Sequence, residues 1–134
     1  MSRRLFTDTS GLYAVAAQEN QRHKPALRLL ESATGLVTTR FVVLETVSLI
    51  TKRRSAPDAK RWYGQFLASR SLTIREHEPK LFREAEEFWR TYDDKDWDLI
   101  DCYSFMVMRR ERLTTALTFD GHFRQAGFLI IEED

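Results

Sequence analysis

Apolar positions along this chain recur in two alternating rhythms. Short runs rich in leucine or β-branched residues occupy 5–7 (LFT), 36–39 (LVTT), 71–76 (SLTIRE), 114–119 (TTALTF) and 128–131 (FLII), the last introduced by Gly127. These read as strands. Between them apolar residues fall three or four apart, the spacing of one helical face. Residues 10–18 form the first such helix, with Ser10 as its N-cap. Residues 18–24 are polar and read as a loop. Pro25 suits a first helical turn, and the helix it opens runs to about residue 32, with Gly35 closing it. In the helix over 41–53, Phe41, Val42, Leu44, Leu49 and Ile50 share a broad face, and Lys52, Arg53 and Arg54 suit its negative end. Pro57 opens another helix, to about residue 70. Residues 78–92 are amphipathic through Leu81, Phe82, Ala85, Phe88 and Trp89. After an acidic loop at 93–97, a final helix opens at Asp98 and stays apolar nearly all round until Arg109.

Short apolar strands alternating with helices indicate an α/β fold, a central five-stranded parallel sheet flanked by helices. No linker, repeat or low-complexity stretch divides the chain, so residues 1–134 read as one domain.

Composition narrows the function classes. The net charge of +1 favours neither an acidic nor a basic partner overall, so any nucleic-acid contact must come from a local patch. Cys102 is the only cysteine, which excludes an internal disulfide and fits a reducing compartment; it reads as a buried apolar residue. With His23, His77 and His122 scattered, no zinc-ligand spacing is present. The N-terminus has no apolar signal core, and no apolar run approaches the roughly 20 residues of a membrane helix. A cytoplasmic location is expected.

Four acids stand out against this pattern. Asp8 and Asp120 each follow a strand and so fall at the carboxyl edge of the sheet, where open α/β sheets bind ligands. Glu45 lies between Phe41 and Leu49 on an apolar helical face. Asp101 shares a helical row with Trp97, Phe105 and Met108. A carboxylate in such a setting is costly unless paired or bound to a metal. Each acid alone has an ordinary alternative: a turn or cap for Asp8, Asp101 and Asp120, partial exposure for Glu45. Together they suggest a cleft that cannot stay fully ionised without cations. Oxygen-only donors favour Mg²⁺ or Mn²⁺, and two such ions suit in-line phosphodiester hydrolysis, one activating water and both stabilising charge.

The pieces 6–10 (FTDTS), 41–50 (FVVLETVSLI), 98–110 (DLIDCYSFMVMRR) and 118–123 (TFDGHF) with Gly127 resemble, in order and spacing, the PIN-domain ribonucleases, specifically the VapC-type toxins of toxin–antitoxin pairs. The resemblance spans essentially the whole chain. It implies a PIN fold and Mg²⁺- or Mn²⁺-dependent cleavage of RNA. It implies that Asp8, Glu45, Asp101 and Asp120 are catalytic metal ligands, with Thr9 or Ser10 as the hydroxyl that orients metal-bound water; Thr118 and Asp98 are further polar groups expected beside them. It further implies a homodimer silenced by a cognate antitoxin whose tail occupies the acidic groove. Many relatives carry Ser or Thr where this chain has Asp98, which reads here as the helix N-cap, an extra acid near the metals being the alternative.

Two other functions compete: a non-catalytic PIN-like module that only docks a basic segment, and a haloacid-dehalogenase-type phosphotransferase with Asp8 as nucleophile. The second family typically has another Asp two residues on, where this chain has Ser10. Basic clusters at 52–54, at Lys60 and Arg61, and at Arg109, Arg110 and Arg112 are candidate phosphate contacts or solvated helix ends. Trp62, Tyr63 and Phe66 suit either core or a partner surface, and His122 suits an RNA-phosphate contact or, more simply, a surface turn.

Overall fold

The structure, a computed structural model, describes residues 3–131; residues 1–2 and 132–134 of the expected 1–134 domain lie outside that range. Its element order is β1 (Arg4–Thr7), α1 (Thr9–Ala16), α2 (His23–Leu30), β2 (Gly35–Thr39), α3 (Arg40–Arg53), α4 (Ala56–Ala68), β3 (Leu72–Arg75), α5 (Pro79–Thr91), α6 (Leu99–Arg110), β4 (Thr115–Leu117), α7 (His122–Gln125) and β5 (Leu129–Ile130). The five strands form one sheet in the order β3-β2-β1-β4-β5, and every pairing is parallel. The expected α/β architecture is therefore the observed one.

Strand alternation divides the core. Side chains one residue apart point to opposite faces of a sheet. Phe6, Val37 and Ala116 join one cluster with Ala85 of α5, Phe105 of α6 and Phe123 of α7. Their neighbours Leu5, Leu36 and Leu117 join another with Leu29 of α2. A third cluster packs α1, α3 and α4 through Leu12, Val43, Ile50, Trp62 and Phe66. Trp62 and Phe66 are buried, so the open choice between core and partner surface resolves to core for both. Full burial of a side chain such as Phe6 or Phe105 contributes about 1.5–3 kcal/mol.

Several boundaries differ from the sequence expectation, each for a local reason. Asp8, not Ser10, caps α1: its Oδ1 accepts from Gly11 N at 3.0 Å. Gly35 does not close α2; it begins β2, paired with Arg4. The last helix before β5, α7, is four residues long, too short for a periodic signature, and was missed. It ends in a Schellman motif, with Phe128 N on Phe123 O and Gly127 N on Arg124 O, both 3.0 Å, and Gly127 at φ +95°. The same motif closes α6, where Arg112 takes the left-handed position at φ +57°.

Parallel strands put all carboxyl ends on one side. The chain winds outward through β2 and β3, then crosses to β4 on the other side of β1. The crevice between the ends of β1 and β4 is thus the topological switch point.

Candidate active site

β1 ends at Thr7, paired with Leu117 at the end of β4. The residues that follow each strand, Asp8 and Thr118, therefore emerge side by side. Thr118 Oγ1 donates to Asp8 Oδ2 at 2.8 Å and accepts from Asp120 N at 3.0 Å. Ser10 Oγ donates to Asp8 Oδ1 at 2.9 Å and accepts from Phe119 N at 2.9 Å. Ser10 thus ties α1 to the segment after β4 and leaves capping to Asp8. The Asp8 carboxylate is buried, with both oxygens hydrogen-bonded. Burial pushes its carboxyl above the usual range; the bonds from Gly11, Thr118 and Ser10 oppose that, and the charge of Asp120 adds to it.

Asp98 caps α6, accepting from Asp101 N at 2.7 Å, and Asp101 Oδ2 accepts from Asp98 N at 3.3 Å, a reciprocal capping box. The expected N-cap role of Asp98 is therefore what the fold uses. The box fixes Asp101 at the third helical position. Burial first, and then the charge of Asp98, raise the Asp101 carboxyl to about 6. Glu45 is half-buried on α3 and accepts from the Thr9 hydroxyl, which joins α1 to α3.

One cleft of about 420 Å³ gathers Asp8, Glu45, Asp98, Asp101 and Asp120, with Thr9 and Ser10 between them. Every sequence-predicted acid is in it. Thr118 supports it from beneath through the bonds above. The concentration of carboxylates at a switch point is a chemistry that suits cations.

Three residues escaped the sequence reading. His122 is no free turn residue: its Nδ1 sits 3.0 Å from Asp101 Oδ2 and 3.3 Å from Asp120 Oδ1. Arg22 lines the cleft with its guanidinium 4.8 Å from the Phe119 ring centre. Ser104, one turn after Asp101, also lines it, and its buried hydroxyl has no partner among the described residues. The spacing of Ser104 from Asp101 was the one available signal. Of the basic clusters, Arg53 alone reaches the cleft, stacked 5.2 Å from Tyr13. Arg54 pairs with Glu19 and Asp58, Arg61 with Asp58, and Arg110 with Glu78, so these are engaged elsewhere.

Comparison with known proteins agrees with this geometry. The chain is 28% identical over 130 residues to the 23S rRNA-specific endonuclease VapC20 of Mycobacterium tuberculosis, covering 97% of this chain and 99% of that protein. A crystal structure of VapC20, described as a Sarcin-Ricin loop cleaving toxin, superposes with a TM-score of 0.89, covering 96% of this chain and 99% of that one. VapBC2 from Rickettsia felis, bound to a DNA fragment from its promoter, has the same fold at 15% identity and a TM-score of 0.66, covering 98% of this chain and 99% of that one. FitAcB from Neisseria gonorrhoeae does so at 14% and 0.66, covering 96% of each chain. The family described as PIN domain matches residues 5–129. That match runs from the second residue of β1 to the first of β5 and takes in every element that carries the cleft. This chain belongs to the PIN domain family.

Proposed function

We propose that this chain is a divalent-cation-dependent endoribonuclease, the toxin of a toxin–antitoxin pair, acting on structured RNA such as the 23S rRNA on which VapC20 is specific. The carrying observation is the convergence of Asp8, Glu45, Asp101 and Asp120 on one cleft at the switch point. Similarity to an endonuclease over nearly the whole chain supports it.

The donor set fits Mg²⁺ or Mn²⁺. Its carboxylate oxygens are hard ligands; burial first, and neighbouring acids after it, raise the Asp8 and Asp101 carboxyls, and a bound cation would favour their charged forms. Divalent ions held by these four acids would supply charge neutralisation and a lowered water pKa for attack on a phosphodiester. The chain's own residues orient that chemistry. Ser10 and Thr118 hold Asp8, Thr9 holds Glu45, Asp98 holds Asp101, and His122 N donates to Asp120 at 2.9 Å. Arg22 and Arg53, each backed by an aromatic ring, bind RNA phosphates at the cleft. A phosphotransferase using Asp8 as nucleophile finds no support: the chain is a PIN domain, and Ser10 stands where that family carries its second Asp. On the same reading the chain works in the cytoplasm, pairs with a second copy, and is silenced by an antitoxin segment whose basic residues enter the acidic cleft.

The test incubates the purified chain with 23S rRNA and Mg²⁺ or Mn²⁺. Cleavage should appear only with the cation and fall at least about a hundredfold in Asp8→Asn and Asp101→Asn. Undiminished cleavage in both variants refutes the reading. Calorimetry that finds no acid-dependent Mg²⁺ or Mn²⁺ binding supports a docking module instead.

A further inference from the structure

Asp101, Asp120 and His122 each offer one ligand atom, and these atoms all lie within 4.8 Å of one another. An octahedral ion with ligands at about 2.1 Å has neighbouring ligand atoms about 3.0 Å apart and opposite ones about 4.2 Å apart. The Nδ1 separations of 3.0 Å from Asp101 Oδ2 and 3.3 Å from Asp120 Oδ1 match neighbouring corners.

The imidazole is also held in place. His122 opens α7, its own N–H donates to Asp120 Oδ1, and Phe123 beside it is fully buried against Phe6 and Phe105. A second observation points to a ligand in the cleft that Asp101 and Asp120 line. Ser104 is 1% exposed, lines this cleft and has an unpartnered hydroxyl among the described residues. Buried hydroxyls are rarely left so. The other histidines are committed elsewhere: His23 Nδ1 meets Ala14 O at 2.8 Å, and His77 packs with Phe41, Phe82 and Tyr103.

We propose that His122 supplies an imidazole nitrogen, beside Asp101 and Asp120, to one cation of the site, and so shifts its preference from Mg²⁺ toward first-row transition ions. The inference rests on the metal-site reading above. Mg²⁺ favours an all-oxygen shell and gives up water reluctantly, whereas imidazole suits transition ions. With the ion bound, the Nδ1 lone pair faces it and the ring proton resides on Nε2.

Mn²⁺ is the probe. Pulsed electron paramagnetic resonance on the Mn²⁺-loaded wild type should detect a directly bound imidazole nitrogen, absent in His122→Phe and His122→Asn. Calorimetry should find Mn²⁺ affinity weakened about tenfold or more in both variants, and Mg²⁺ affinity changed less than about threefold. The Asn variant keeps a polar group should the larger ring perturb α7, and thermal melts verify that each folds. Mn²⁺ bound by the wild type without imidazole coupling overturns this inference alone, as does equal weakening of both ions. A wild type that binds no Mn²⁺ overturns the metal-site reading with it.

Discussion

Gly11 is the point where α1 touches β4, and Gly11→Ala tests how tightly that contact sets the cleft. A Cβ there would lie 2.2 Å from Leu117 O and 2.4 Å from Thr7 Oγ1. It would enter the hydrogen bond that Thr7 Oγ1 donates to Leu117 O at 3.0 Å. One of the two obstacles is backbone, in a strand fixed by its pairing to β1, so α1 itself must move. Overpacking of this kind costs roughly 1–3 kcal/mol, and a buried hydrogen bond broken on one side costs about 1–3 kcal/mol more. Against this, alanine gains about 1 kcal/mol over glycine in a helix. The net expectation is a loss of roughly 1–5 kcal/mol. For a chain of this length that lowers Tm by roughly 3–25 °C.

Activity should fall further than stability explains. Gly11 N donates to Asp8, and Asp8 is bonded across to Thr118. Displacing α1 separates the Asp8 side of the cleft from the Asp120 side, and a misplacement near 1 Å can cost about a hundredfold in rate. The control is Gly64→Ala on α4, where a Cβ meets nothing within 4 Å; it should be stabilising by up to about 1 kcal/mol. Melting curves and single-turnover RNA cleavage below both midpoints provide the measurement. A Gly11→Ala protein with wild-type Tm and wild-type cleavage would show that α1 does not set the cleft as described.

Thr118→Val keeps shape but removes the hydroxyl that donates to Asp8 and accepts from Asp120 N; it should cost roughly 1–3 kcal/mol and reduce cleavage, and an unchanged Tm would count against the network. Arg112→Gly relieves a left-handed residue at the end of α6; with about 1–2 kcal/mol of strain removed and about 0.5–1 kcal/mol of added chain entropy, Tm should rise slightly, and a fall would contradict the Schellman closure. The Asp101 carboxyl stands at about 6 in the folded protein against 3.8, so the folded state binds the proton more tightly. Metal-free stability should therefore fall as pH rises from about 4 to 6, by up to ~3 kcal/mol relative to Asp101→Asn, and then level off; parallel stability–pH curves for the two proteins would refute this.

The sequence exposed what depends on local pattern and hid what depends on where distant segments meet. Strand runs such as 36–39 are buried on both faces, so they stood out as short continuous runs of leucine and β-branched residues. The four acids were visible because two follow strands and two sit on apolar helical faces, and both features are written in neighbouring residues. Asp8 and Ser10 could not be told apart as caps, since either side chain can reach a free helical N–H; the choice is made by Phe119 N, 109 residues along the chain, which takes Ser10 for itself. Gly35 reads equally as a helix stop or a strand start until Arg4 pairs with it. The basic clusters looked like one kind of feature and are not, because Glu19, Asp58 and Glu78 claim Arg54, Arg61 and Arg110.

His122 is the most instructive miss. Its partner Asp101 is 21 residues away, on a helix whose start is set by Asp98. The turn after Asp120 aims the imidazole only because α7 begins there and Phe123 anchors it in the core. Asp98 and His122 therefore meet at one atom, Asp101 Oδ2: Asp98 N donates to it at 3.3 Å and His122 Nδ1 lies 3.0 Å from it, while Asp98 Oδ1 accepts from Asp101 N. Removing the cap should disturb the His122 contact as well as the helix. In a double-mutant cycle, Asp98→Ala and His122→Phe should couple in cation affinity by more than the roughly 0.5 kcal/mol within which independent sites add. Simple additivity would mean that each holds Asp101 without the other.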